Sequence, residues 1–306
     1  MNYDIHNGVT QSLLGTWLSC RQRALNHIQG WRTPDPPYHT EYGNLFHHLL
    51  EHYYGDHLVN ARRQVGDEPL ANSFFKEAST TWSKKAHLQG PVDEKLMERN
   101  LAVAQTLWPH YVNFWHKRDD KMKFQSTEEV FDTQWRGVRL RGKIDGTLLL
   151  SGKEWILETK TKSQISEEDT EDTIAYSFQN LFMLVALRSM KRKPIGYVYN
   201  VIRNPSFKDE DLVKLCKKIA SDVVERPDHY FKRFEVVYTE KNIAAFEEEL
   251  ASKLAEFTAW CLGDMMTYKN ETACIGRGRC PYIKACASGT KIGYVKTGKL
   301  HSELEP

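Results

Sequence analysis

The chain has 306 residues, 41% of them hydrophobic and 27% charged, with a formal net charge of +2. That length can bury a sizeable core, and the balance excludes disordered, fibrous and strongly polyelectrolyte classes. The small net charge does not itself mark a nucleic-acid binder, although basic residues cluster locally in "RSMKRKP", Arg188–Pro194. No apolar run approaches the roughly 20 residues that span a bilayer. The opening "MNYDIHNGVTQSLLGTW" lacks the basic start and apolar stretch of a secretory signal. A cytoplasmic location without membrane association is therefore expected. Its six cysteines then read as reduced thiols or metal ligands rather than disulfides.

In chain order, Ser12 to Ile28 carries apolar residues near helical period and predicts a first helix. The "PDPP" of Pro34–Pro37 breaks it, a second helix is expected from about Tyr42 to Val59, and further helices fill Ala71 to Lys117. Strand-like alternation begins near Glu128 and runs to about Thr161. "SEEDTED", Ser166–Asp172, reads as a polar loop, followed by a helix from about Ile174 to Met190. "IGYVYNVI", Ile195–Ile202, suits a buried strand. A helix, a short strand "FEVVYTE" and another helix from about Ile243 to Leu262 follow, and the tail from Thr272 is irregular. No repeat or Pro/Gly/Ser linker divides the chain. One unit of α/β (α+β) class is expected: a helical region over about 1–125, a core over about 126–240, and a helix with a cysteine-rich tail over about 241–306.

The segment "RGKIDGTLLLSGKEWILETKTKS", Arg141–Ser163, reads as a hairpin with charges inside apolar strands. A two-residue loop at Ser151-Gly152 pairs Leu150 with Lys153 and sets Asp145 opposite Glu158; a loop at Gly152-Lys153 sets Asp145 opposite Lys160. Either register gathers Asp145, Glu158 and Lys160 on one face. Facing carboxylates repel, and a divalent cation between them relieves that repulsion. An adjacent ammonium can steer a water or stabilise charge on a phosphate. The spacing alone also fits an ordinary wet face of an antiparallel sheet.

Two further groups carry possible chemistry. His47 lies in a segment that also holds His48, His52 and His57; His48 and His52 share a face but lack the intervening glutamate of a zinc-protease motif. The tail "ACIGRGRCPYIKACASG" spaces Cys274, Cys280 and Cys286 six apart, a density that suits metal ligation and requires a fourth ligand. Cys216 and Cys261 fall among apolar helical neighbours and read as buried thiols, with Cys261 an alternative ligand.

Asp145 followed by Glu158-x-Lys160 in a hairpin resembles the PD-(D/E)XK nuclease superfamily, specifically its RecB-like exonuclease branch. That branch carries an upstream Gly-x-x-x-His motif, matched here by Gly43 and His47, and a Gln-x-x-x-Tyr helix, matched by Gln179 but with Met183 at the tyrosine position. That departure leaves the tyrosine's substrate-contacting role unassigned, with Tyr176 as one candidate for it. AddB-like and CRISPR-adaptation members place one cysteine in the first helix and three near the C-terminus, and Cys20 with Cys274, Cys280 and Cys286 is similar, apart from the even spacing. The resemblance implies a restriction-endonuclease-like core, a central mixed sheet flanked by helices. It implies a Mg²⁺- or Mn²⁺-dependent deoxyribonuclease, an exonuclease on single-stranded DNA or DNA ends, serving recombination, repair or phage DNA metabolism in a bacterial or phage-infected cell. His47, Asp145, Glu158 and the Thr159 carbonyl would bind the ion, Lys160 would activate water, and Gln179 would orient Lys160 or contact the strand. The four cysteines would hold a structural 4Fe–4S cluster, with zinc as the alternative. Lys162, Arg188, Lys191 and Arg192 are candidates for DNA-backbone contacts, and a helicase or recombination protein is a candidate for a partner that the sequence does not identify. Alternatives are a non-catalytic DNA-end-binding scaffold subunit and a CRISPR-adaptation nuclease that trims prespacers.

Overall fold

The computed structural model describes residues 2–33, 38–59, 68–89, 93–207, 209, 211–276 and 279–297. The Pro34–Pro37 break and the His57 side chain lie outside the described parts. The first helical segment is two helices, α1 (Gln11–Ser19) and α2 (Arg21–Ile28), after a short strand β1 (Val9–Thr10). Cys20 separates them in an extended conformation, ending α1 and starting α2, so the helical periodicity there spans a corner. After β2 (Trp31–Arg32) come three long helices, α3 (Tyr38–Val59), α4 (Glu68–Gln89) and α5 (Glu94–Asp119).

The strands β3 (Lys123–Trp135), β4 (Val138–Leu150) and β5 (Lys153–Lys162) form an antiparallel meander. Leu150 pairs with Lys153, so the turn is Ser151-Gly152, with φ of 52° and 75°. Positive φ at both central residues gives the hairpin turn whose twist matches its strands. The expected polar loop over 166–172 is instead mostly helix, α6 (Glu167–Ala175), and the expected Ile174–Met190 helix divides into α6 and α7 (Phe178–Ser189). Ser177 makes that division by capping the Asn180 N–H.

Next come β6 (Gly196–Arg203), α8 (Leu212–Glu225), α9 (Pro227–Tyr230), β7 (Phe231–Val237) and α10 (Glu240–Leu262). The tail holds α11 (Glu271–Ile275), α12 (Ile283–Ser288) and β8 (Val295–Lys296) rather than wholly irregular chain. The main sheet runs β1-β4-β5-β6-β7 with β3 on β4, and β8 pairs with β2 in a small second sheet. The β5–β6 and β1–β4 pairs are parallel and the others antiparallel, which makes the main sheet mixed.

Both sheet faces are covered. Leu148, Trp155, Leu157, Val198 and Ile202 pack under α3, α4, α5 and α8, through Tyr53, Trp82, Trp108 and Leu215 among others. The opposite face packs Leu140, Ile156 and Tyr197 against α1, α7 and α10, through Trp17, Phe182 and Phe257. Sandwiching explains why Asn180 to Leu187 are buried around the whole circumference of α7. Among the described residues no helix is long and apolar enough to cross a membrane.

Candidate active site

The site forms where the hairpin opens. The β4–β5 ladder runs from Leu150↔Lys153 to Gly146↔Leu157 and ends there. On its far side, β4 pairs with β1 only at Leu140 and Arg141. Between these pairings the Asp145 side chain replaces the missing rung, its Oδ2 accepting the Thr159 N–H at 2.7 Å. The β5 strand meanwhile keeps its pairing to β6 through Lys162, so Glu158, Thr159 and Lys160 are held on a rigid central strand.

Helix α3 brings His47 to this opening, its Nδ1 3.5 Å from Asp145 Oδ1. Gly43, one turn earlier, is what lets the helix come so close. A Cβ there would stand 3.2 Å from the Thr161 hydroxyl, tighter than side chains normally pack. From the opposite face α7 supplies Gln179, whose Nε2 donates to Glu158 Oε1 at 2.7 Å. The same carboxylate oxygen pairs with Lys160 Nζ. Gln179 thus meets Lys160 through Glu158, the carboxylate that both side chains bond.

Glu128 was not singled out by sequence. Pairs on either side, Thr127↔Gly146 and Glu129↔Ile144, place it across from Asp145, and its φ of 48° marks a local distortion of β3. Its carboxylate pairs with Lys143. Ligand atoms of His47, Glu128 and Asp145 all lie within 4.8 Å of one another. Nothing in "STEEVFD" distinguishes Glu128 from its neighbours, because only the left-handed backbone turns its side chain toward the opening.

The electrostatics follow from burial beside an ammonium. Burial raises the pKa of Asp145 and Glu158, with the Lys160 charge opposing it, and burial likewise raises Glu128. Burial disfavours the Lys160 charge as well, yet Glu158 and Asp145 outweigh this and hold its pKa above the ordinary lysine value. His47 is lowered by burial and then by Lys160, which favours the neutral imidazole that ligates metals. A neutral imidazole and two carboxylates, with ligand atoms within 4.8 Å of one another, can hold a divalent metal ion.

A metal titration tests that fit. Saturating Mn²⁺, at one hundred times its Kd, is expected to stabilise the protein by about 2.7 kcal/mol. The sign with pH follows from the raised carboxyls. Protonation favours the metal-free fold, so that contribution is lost as pH rises through the raised values, while the ion needs the ionised form. The Mn²⁺-induced rise in Tm should therefore grow with pH across the acid range. An equal rise in Asp145→Ala would refute the site.

The other residues read from the sequence are placed as follows. Met183 is buried in the core beside α7's sheet face, while Tyr176, preceding that helix, is 85% exposed. Lys162 Nζ lies 5.9 Å from the Tyr199 ring, on the face that carries Glu158 and Lys160. Arg188 is paired with Glu240, and Arg192 with Glu154 and Glu129, so both have protein partners. His48 pairs with Glu51 on its own helix.

The tail docks on the N-terminal helices. Asn270 Nδ2 donates to the Ser19 carbonyl at 2.8 Å, Gln22 N–H to the Tyr268 carbonyl at 3.2 Å, and Tyr282 OH to the Trp31 carbonyl at 2.6 Å. This docks the cysteine-bearing tail against the corner at Cys20, and the Cys280 N–H donates to the Cys274 carbonyl at 3.0 Å; burial raises the Cys274 thiol, with Cys280, Cys20 and Cys286 pushing in the same direction. Burial also raises Cys286, with Cys280 and Cys20 contributing. Cys261 sits apart in the apolar core, its thiol pushed up to about 12 by burial, and Cys216 Sγ donates to the Ala102 carbonyl at 3.6 Å.

A mixed sheet between helical layers, opened at a carboxylate–lysine hairpin, defines a restriction-endonuclease-like fold with the equipment for phosphodiester hydrolysis. The chain belongs to the PD-(D/E)XK nuclease superfamily, whose family model matches residues 9–287. A comparison with curated proteins finds no match.

Proposed function

We propose that the protein is a divalent-metal-dependent deoxyribonuclease that hydrolyses single-stranded DNA or DNA ends as an exonuclease. The observation that carries the reading is the convergence of His47, Glu128 and Asp145 within 4.8 Å, beside the Glu158–Lys160 pair. His47, Asp145 and Glu128 would hold the ion, with Glu158 and the Thr159 carbonyl completing the shell. A bound ion supplies a more acidic water and charge neutralisation at the phosphate. Lys160 positions the attacking water and stabilises charge on the non-bridging oxygens. Gln179 holds Glu158 in the rotamer that presents one oxygen to Lys160. Exposed Tyr176 offers a surface on which a base can stack, and Lys162 a backbone contact.

The RecB/AddB-like branch and a 4Fe–4S cluster on Cys20, Cys274, Cys280 and Cys286 belong to the same proposal. Supporting it are the docking of the tail on α1 and α2, which flank Cys20, and the Cys280 N–H donated to the Cys274 carbonyl at 3.0 Å. The cluster's role would be to tie the two ends of the chain together, within a single nuclease domain that works in recombination, repair or phage DNA metabolism. The test uses anaerobically purified protein with end-labelled single-stranded and duplex DNA in Mn²⁺. Stepwise shortening from an end, together with the broad visible absorbance of an iron–sulfur centre, is expected. Inactivity on every DNA form would overturn the nuclease, and a colourless zinc protein would overturn the cluster alone.

A further inference from the structure

Behind the sheet, on the face away from Glu158 and Lys160, lies a polar cluster inside an aromatic core. Arg233 on β7 and Asp119 at the end of α5 form an ion pair whose side chains are 1% and 0% exposed. The guanidinium also donates through Nη2 to Tyr54 OH at 2.6 Å and Tyr111 OH at 3.1 Å, and through Nε to Asn200 Oδ1 at 3.2 Å. It stacks on Trp115, 4.1 Å from the ring centroid. Asn200, itself fully buried, donates through Nδ2 to Tyr111 OH at 2.9 Å and to Thr159 Oγ1 at 3.3 Å. Register explains the alignment: Thr159, Asn200 and Arg233 occupy one rung across β5, β6 and β7.

The partners of this one guanidinium lead to both elements that carry the active site. Tyr54 lies on α3 two turns after His47, so about 10 Å further along the axis. Thr159 lies between Glu158 and Lys160, and its N–H holds Asp145. Burying an ion pair is a poor way to gain stability, since its desolvation cost can exceed the attraction. The surrounding Tyr53, Trp108, Phe124 and Phe231 would accept apolar residues in its place. A directional set of bonds instead fixes spacing, here between the histidine helix and the carboxylate–lysine strand.

The geometry points to Arg233, Asn200 and Tyr54 as positioning residues that set the separation of α3 and β5, and with it the metal affinity of the site. This rests on the metal-dependent reading of that site. The test uses Thr159→Val, which keeps the shape and backbone but removes the oxygen that Asn200 reaches, and Tyr54→Phe, which detaches α3 from the guanidinium. Isothermal titration with Mn²⁺ reads the Kd, and single-turnover cleavage at saturating Mn²⁺ reads the chemical step.

Each variant is expected to weaken Mn²⁺ binding about 10–100-fold, and in Tyr54→Phe, whose side chain lies outside the metal site, most of the saturated rate returns. Thr159→Ser, which restores the oxygen, should recover affinity to within about threefold of wild type, as an orienting hydrogen bond requires. A lowered Tm with unchanged Mn²⁺ affinity in both Thr159→Val and Tyr54→Phe would overturn the inference and leave the nuclease reading standing. A wild-type protein that neither binds Mn²⁺ nor cleaves DNA would overturn both.

Discussion

Replacing Lys160 with methionine is expected to lower the single-turnover rate at saturating Mn²⁺ by about 10²–10⁴-fold. The reasoning starts from Glu158, whose side chain is only 3% exposed and whose carboxylate shares one oxygen between Lys160 and Gln179. Burial already raises its pKa, and Lys160 is the main opposing charge. Without the ammonium the carboxyl moves further toward its neutral form, so both the water-orienting cation and the anionic state of Glu158 are weakened together. The pH–rate profile of the variant should therefore shift its acidic limb upward. Methionine fills the volume of the lysine stem, which separates loss of charge from loss of packing. A saturated rate within about threefold of wild type would remove Lys160 from the chemistry, because a group acting on the transition state is worth far more.

The second large effect concerns stability. Arg233→Met alone is expected to cost about 3–5 kcal/mol, because Asp119 is left charged at 0% exposure with its partner gone. Tyr54, Tyr111 and Asn200 lose a donor in the same stroke. Urea unfolding reads this as a fall in midpoint at unchanged slope. The paired change Arg233→Met with Asp119→Leu removes the orphaned carboxylate and should recover more than half of the loss, since an apolar pair of similar volume suits an aromatic core. A double variant no more stable than the single would mean that the lost polar partners, rather than the buried charge, dominate the cost.

These two effects differ in how far they can be read from sequence. Lys160 stands two residues after Glu158 on a strand, and period-two geometry puts both on one face wherever the strand goes. Two loop positions fit the sequence there, Ser151-Gly152 and Gly152-Lys153, and the Leu150–Lys153 pairing with positive φ at Ser151 and Gly152 selects the first. Gly43 and His47 were likewise visible as a spacing on one helix, one turn apart. These are local relations, set by helical and strand periods and by turn chemistry. The sequence therefore supported the hairpin and the class of fold, and it put Glu158 and Lys160 on one face of β5.

What it could not supply were relations between distant segments and departures from regular backbone. Glu128 joins the site because β3 is distorted to a φ of 48° opposite the point where β4 and β5 part. Its side chain would otherwise follow the alternation of its strand. The Ser166–Asp172 run looked like a loop from its polarity, yet from Glu167 onward it lies in a helix whose Ile174 packs onto Tyr199 and Phe234. The helical period over residues 12–28 likewise hid the corner at Cys20, which the extended backbone there creates so that the tail can dock beside it.

Arg233 and Asp119 are separated by over a hundred residues, and nothing in either neighbourhood marks them as partners. Sequence determined which side chains share a face of one element, because strand and helix periods are short-range. Tertiary structure alone decided which faces meet: the opening of the hairpin, the approach of α3 across Gly43, and the single guanidinium that ties both to one rung of the sheet. Those relations depend on packing between layers, where the free energy belongs to contacts that the linear order does not specify.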